Sequence, residues 1–133
     1  MTRTAVVAGV GPGLGASLAR RFDAEGCDVA LFARSPGFIE GLADELDSGL
    51  AVTVDVADRE AVREGFEAVR DAFGPVDLLA FNASAASWTG LLETDAEAFS
   101  NALAVGVEGA FLCARAAVSD MVENDGGTVL FTG

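Results

Sequence analysis

Seven residues, Gly9-Val10-Gly11-Pro12-Gly13-Leu14-Gly15, have the types and spacing to do chemistry, and that chemistry is anion binding. They follow the short apolar run Thr4 to Ala8 and open an amphipathic stretch, Ala16 to Glu25. Where a strand gives way to glycines and restarts as a helix, the missing side chains let backbone approach a phosphate. The free N–H groups of the helix's first turn, at the positive end of its dipole, then bind it. A Gly-x-Gly-x-x-Gly pattern started at Gly9 meets Leu14 at its third glycine, and started at Gly11 it meets Ala16. Gly-x-x-x-Gly-x-Gly fits Gly9, Gly13 and Gly15. The flanking strand and helix favour a dinucleotide site; an ordinary tight turn is the alternative.

A second group bears on which dinucleotide. NAD-binding folds of this kind place an acid about twenty residues beyond the loop, bonded to the ribose 2′-hydroxyl. Here the second strand ends Phe32-Ala33-Arg34-Ser35, and Asp28 lies at its wrong end. Arg34 offers a planar fork to a 2′-phosphate, with Ser35 beside it. NADP is therefore expected over NAD, against the alternative that Arg34 is a solvated surface charge.

These residues must be positioned by alternating strands and helices. The first helix carries Leu14, Leu18 and Phe22 at spacing four and ends at Gly26. Val29 to Ala33 reads as the second strand. Phe38, Leu42 and Leu46 stripe the second helix, and Ala51 to Val54 is the third strand. Asp58 caps a helix with Val62, Phe66, Val69 and Phe73 on one face, stopped by Gly74-Pro75. Leu78 to Phe81 is the fourth strand. Thr94-Asp95-Ala96-Glu97 reads as a capping box opening a long helix to about Glu123. Phe99, Leu103, Val107, Ala110, Ala114 and Val118 are expected on its inner side. Gly126-Gly127 then leads into a fifth strand, Thr128 to Thr132. The unbroken apolar strands call for helices on both faces of a parallel sheet. The expectation is a single dinucleotide-binding domain over residues 1–133. Its fold is α/β, a Rossmann-like doubly wound parallel sheet of about five strands in three αβα layers.

Composition narrows the partners. Half the residues are apolar (51%), which excludes disorder. The net charge of −13 comes from 21 acids against eight arginines, and such a surface repels nucleic acid and anionic lipid. Scattered acids with no lysine favour a halophilic protein over a merely solvated face. Cys27 and Cys113 make no disulfide framework, and without histidine there is no Cys/His metal spacing. A cytoplasmic location fits. The glycines interrupt the N-terminal apolar run too early for a signal peptide, and no uninterrupted apolar stretch approaches membrane-span length.

Taken together, the segments resemble the short-chain dehydrogenase/reductase family. Gly9, Gly13, Leu14 and Gly15 look like its cofactor loop. Asp55-Val56 looks like the pair that contacts the adenine ring, although Asp55 could simply end a strand. Asn82-Ala83-Ser84 resembles the Asn-Ala-Gly element, with serine for glycine, although Asn82 could merely pair with neighbouring backbone. Gly126-Gly127-Thr128, leading into Val129-Leu130-Phe131, is similar to the family's fifth strand.

The resemblance implies an NAD(P)-dependent oxidoreductase. It also implies catalysis by a serine just after the fifth strand and a Tyr-x-x-x-Lys pair, yet this chain has no tyrosine or lysine and ends at Gly133. The family's further active-site asparagine falls at Gly106. Asn101 cannot replace it, because five residues turn an α-helix by about 500°, leaving it about 140° away. Three readings stay open: the cofactor half of an oxidoreductase, a dinucleotide-binding protein without chemistry, or a structural remnant that assembles through its edge. A small-molecule substrate belongs only to the first. Ser87 and Trp88 could border its pocket, but a tryptophan packed on the core is expected. The resemblance also implies a helix and two strands beyond the fifth strand, and a long helix packed on partner subunits. A homo-oligomer is therefore expected, built on the fifth-strand edge and the long helix, where Gly106 and Gly109 permit close approach of another backbone; that both merely accommodate a local bend is the alternative.

Overall fold

A computed structural model of the chain describes residues 2–86 and 88–133, so Ser87 lies outside the described residues. Among them, five parallel strands form one sheet in the order β3-β2-β1-β4-β5. These are β1 (Thr4–Ala8), β2 (Asp28–Ala33), β3 (Gly49–Thr53), β4 (Leu78–Phe81) and β5 (Thr128–Phe131). The connections α1 (Leu14–Ala24), α2 (Pro36–Glu45) and α3 (Arg59–Phe73) alternate with the first four strands. From β1 the chain winds outward through β2 to β3, then returns to place β4 on the other side of β1. That reversal opens a crevice at the carboxyl ends of β1 and β4. Ala8 stands in register with Phe32 on one side and with Phe81 on the other.

The period of two along β1 separates two cores. Val6 and Ala8 join Phe32, Phe66, Val69, Leu79, Cys113 and Ala117 on one face. Ala5 and Val7 join Leu31, Ala16, Ala19, Ile39 and Leu42 on the other. Helices therefore cover both faces, as the unbroken apolar strands require. Asp58 caps α3 as expected, accepting from the N–H groups of Glu60 at 3.0 Å and Ala61 at 3.2 Å.

The last crossover is one continuous helix of 28 residues, Ala96–Glu123. It is built from α4 (Ala96–Leu103), a π-helical segment (Ala104–Glu108) and α5 (Gly109–Glu123). Its cap is displaced by one residue from the expected box: Asp95, not Thr94, accepts from Ala98 N at 2.7 Å. The Thr94 hydroxyl is turned back onto the Gly90 carbonyl instead. By length and composition this helix could span a membrane, although charged residues interrupt its apolar run.

The expected inner faces need correction. On the long helix the buried residues are Val105, Gly109, Cys113, Ala117 and Met121, whereas Phe99, Leu103, Val107 and Val118 are exposed. On α1, Gly15, Ala16 and Ala19 face the sheet and Leu14 is exposed. On α2, Ile39 and Leu42 are buried while Phe38 is exposed. The same preference for small residues acts on α1 and the long helix. A helix brought close to a sheet presents small side chains to it, and its bulky apolar residues fall on a neighbouring stripe. The Gly109 position shows why: a Cβ there would lie 2.8 Å from Val56 Cγ2. The close approach at Gly109 is thus to its own chain, while Gly106 has nothing within 4 Å.

One polar group pins this helix. Asp120, only 9% exposed, accepts from Arg70 Nε at 3.0 and 3.1 Å and from Val76 N at 2.9 Å. Arg70 Nη2 donates to the Ala116 carbonyl at 3.1 Å, and its guanidinium lies 5.8 Å from the Phe66 ring centre. Removing the carboxylate strands the Val76 N–H and a partly buried cation. Asp120→Ala should therefore cost about 2 kcal/mol of stability, the order of an unsatisfied buried donor. A urea midpoint equal to that of the unaltered chain would contradict this.

Candidate functional site

The site forms where β1 ends. Gly9 has φ +97°, and a Cβ there would run into the Ala83 backbone. Both Gly9 N and Val10 N donate to the Phe32 carbonyl at 3.0 Å, which folds the loop over the end of β2. Asn82 holds it from the other side. Its backbone N–H donates to Ala8 O at 2.7 Å, and its side-chain Nδ2 donates to Gly9 O at 3.0 Å. Its Oδ1 accepts from the Thr132 hydroxyl at 2.6 Å, so one amide joins the ends of β1, β4 and β5. The Asn82 amide thus bonds backbone through Nδ2 and a hydroxyl through Oδ1.

The glycines divide into two kinds. Gly9 and Gly15 are demanded by the protein's own packing, since a Cβ on Gly15 would strike Gly9 O and lie 2.9 Å from Val10 Cα. Gly11 and Gly13 have nothing within 4 Å. Packing contacts within the protein therefore do not explain the absence of side chains there. Gly13 precedes α1, whose cap makes no side-chain hydrogen bond and whose first turn holds no acid. The first-turn N–H groups are left without a side-chain cap or a neighbouring carboxylate.

A cavity of about 300 Å³ opens beside this loop. It brings together Gly9, Arg34, Asp55, Val56, Asn82 and Ala83 from four separate segments of sequence. Gly13, Leu14, Gly15 and Ser35 do not line it. Leu14 is exposed at the start of α1, and Ser35 is the N-cap residue of α2, where its hydroxyl makes no cap hydrogen bond. Arg34 is exposed on the wall and, among the described residues, makes no ion pair. Asp55 Oδ1 accepts from Ala57 N at 3.0 Å, shaping the turn into α3. Val56 is buried beneath Gly109.

Sequence reasoning missed much of the apolar lining: Val10, Phe32, Val54 and Val105 all contribute. Phe32 and Val54 are strand-end neighbours of residues already singled out, and adjacency could have found them. Val105 carried no such signal, because it enters through the π-helical segment. Neither Asn101 nor Gly106 lines the cavity. Trp88 is 98% exposed rather than packed on the core, as are its neighbours Leu91 and Leu92 to a similar degree. Both cysteines are free and buried, and burial pushes the Cys113 thiol up to about 12, far from a thiolate at neutral pH.

The sequence model of the short chain dehydrogenases matches residues 3–133. The chain belongs to that family. It is similar to the 3-oxoacyl-[acyl-carrier-protein] reductase MabA of Mycobacterium tuberculosis, with 32% identity over the whole of this chain and 51% of that protein. The fold matches the alcohol dehydrogenase of the archaeon Thermococcus sibiricus, solved with 5-hydroxy-NADP, at a TM-score of 0.92 and 28% identity. That match covers 98% of this chain and 57% of the other. A 3-ketoacyl-(acyl-carrier-protein) reductase from Brucella melitensis, solved with NADH, matches at a TM-score of 0.87 and 31% identity. That match covers 92% of this chain and 51% of the other. The chain thus spans about half the length of these short-chain dehydrogenases. The Rossmann-like sheet is the part of the short-chain dehydrogenase fold that these residues build.

Proposed function

We propose that residues 1–133 form one dinucleotide-binding domain of an oxidoreductase, with NADP preferred over NAD. The observation that carries this is the pair of open glycines, Gly11 and Gly13, between a cavity and the uncapped start of α1. A pyrophosphate fits the chemistry of that position, and the α1 N–H groups supply its donors. Arg34, with the Ser35 hydroxyl and the start of α2, presents a cationic fork suited to a 2′-phosphate. Asp55 offers a carboxylate to an adenine amino group, and Val56 and Val105 supply apolar walls for the ring. Asn82 and Ala83 act on the loop itself, the first by holding Gly9 and the second by packing against it. A bound nicotinamide would supply hydride exchange. The chain has neither tyrosine nor lysine, so we assign the accompanying proton transfer to none of its residues.

The test is a paired titration. NADPH should bind more tightly than NADH, and Arg34→Ala should cost NADPH roughly tenfold or more. That follows from the ~1.5–3 kcal/mol of a hydrogen bond to a charged group. Equal affinities in the intact chain would remove the Arg34 assignment. No binding of either cofactor at millimolar concentration would remove the dinucleotide reading altogether. A turnover assay then separates an oxidoreductase from a binding protein without chemistry. Buried, unbridged cysteines support a reducing, cytoplasmic setting.

Self-association completes the reading. Phe99, Leu103, Val107, Phe111, Val118 and Val122 leave an apolar stripe on the outer side of the long helix, and a patch of that kind marks an interaction site. We read it as the seat of a homo-oligomer.

A further inference from the structure

Thr132, just beyond β5, spends its hydroxyl proton on Asn82 Oδ1 at 2.6 Å. The Phe81 carbonyl, 3.4 Å away, is a poor second acceptor for that proton and already accepts from Thr132 N at 3.1 Å. On its other side the amide donates from Nδ2 to Gly9 O at 3.0 Å. That carbonyl lies against the first turn of α1, where a Cβ on Gly15 would strike it. Hydroxyl, amide and carbonyl therefore run in line from the end of β5 to the start of α1. The line has a direction. A carbonyl can only accept, so Gly9 O takes the Nδ2 end of the amide and leaves Oδ1 facing Thr132. The hydroxyl is the donor that Oδ1 then needs. With an apolar residue at 132, continuing the run Val129-Leu130-Phe131, Oδ1 would lose this partner in a half-buried position. Turned over, the amide would set Oδ1 against Gly9 O, acceptor against acceptor.

We infer that Thr132 is a positioning residue for dinucleotide binding. Through Asn82 it fixes Gly9 and, with it, the first turn of α1 that receives the pyrophosphate. The inference rests on the dinucleotide reading proposed above and adds a residue that does not line the cavity. A pyrophosphate is common to both cofactors, so the hydroxyl acts on NADPH and NADH alike. Arg34 differs in this respect, because its fork is directed at the 2′-phosphate that only NADPH carries.

The test removes the hydroxyl and keeps the shape of the side chain. Thr132→Val should weaken NADPH and NADH binding by the same factor, about tenfold, the order expected when a half-buried acceptor loses its donor. Thr132→Ser keeps the donor and should bind both within about twofold of the unaltered chain. In an Asn82→Ala chain the amide is already gone, so adding Thr132→Val should change affinity by less than about twofold, as for two residues acting as one unit. Circular dichroism accompanies each titration. One measurement needs no variant: by NMR, the Asn82 side-chain amide protons should exchange with water about tenfold more slowly than those of the exposed Asn101. A folded Thr132→Val chain that binds both cofactors like the unaltered one overturns the role of Thr132 and leaves the dinucleotide site standing. So does a loss confined to NADPH, a Thr132→Ser chain as weak as Thr132→Val, or an undiminished loss in the Asn82→Ala background. Should Thr132→Val not fold, exchange at Asn82 as fast as at Asn101 overturns the role by itself. Failure of the unaltered chain to bind either cofactor at millimolar concentration overturns both readings.

Discussion

Replacing Gly13 by valine should leave a folded protein that no longer binds a dinucleotide. The structure makes this substitution unusually discriminating. A Cβ at Gly13 meets no atom within 4 Å, so the first carbon of the added side chain displaces nothing in the fold. It would project instead beside the first turn of α1, into the space a pyrophosphate needs to reach the backbone N–H groups. Gly9 and Gly15 do not offer the same test, because a side chain at either collides with backbone and disturbs the loop itself. The expected result is native circular dichroism and at least a hundredfold loss of NADPH affinity, about 2.8 kcal/mol. A folded Gly13→Val chain that binds NADPH like the unaltered one would show the loop to be only a turn.

Thermal stability should climb steeply with added KCl up to molar concentrations. Six of the 21 acids, Glu25, Glu45, Glu60, Glu64, Glu67 and Asp120, lie in the ion pairs formed among the described residues. The remaining carboxylates face a chain with few cations. Even on α3 the single guanidinium of Arg63 is shared among Glu60, Glu64 and Glu67. Salt weakens these exposed pairs, which contribute little, and at the same time screens the larger self-repulsion of the net charge. Repulsion outweighs pairing here, so the sign is stabilising. A gain of about 2 kcal/mol would raise the midpoint by roughly 6–10 °C in a domain of this size. A midpoint flat from dilute buffer to molar KCl would leave the acidic surface without a halophilic explanation.

Read alone, the sequence determined the features that depend on neighbours in the chain. Strands β1 from Ala5, β2 from Val29 and β4 throughout are unbroken apolar runs, and such runs specify strands buried on both faces wherever they sit. Asp58 caps α3 because its carboxylate reaches N–H groups two and three residues on. The glycine loop was legible because strand, glycines and helix follow one another directly. Arg34, Asp55 and Asn82 were legible as residues just beyond strand ends, which a parallel sheet gathers at one edge.

Only the tertiary structure decided what depends on fit. The long helix is apolar on more than one side, so its periodicity permits two inner faces. The choice between them turns on how closely a helix can approach the sheet, and Gly109 against Val56 settles it in favour of small residues. That choice sends Phe111 and Val118 outward, and the π-helical turn carries Val105 into the cavity. Asp120 carries no local signal either, since its partners Arg70 and Val76 are 50 and 44 residues away. The role of Asn82 is likewise tertiary. An amide at a strand end is visible in the sequence, but its hold on Gly9 and Thr132 exists only once three strands end side by side.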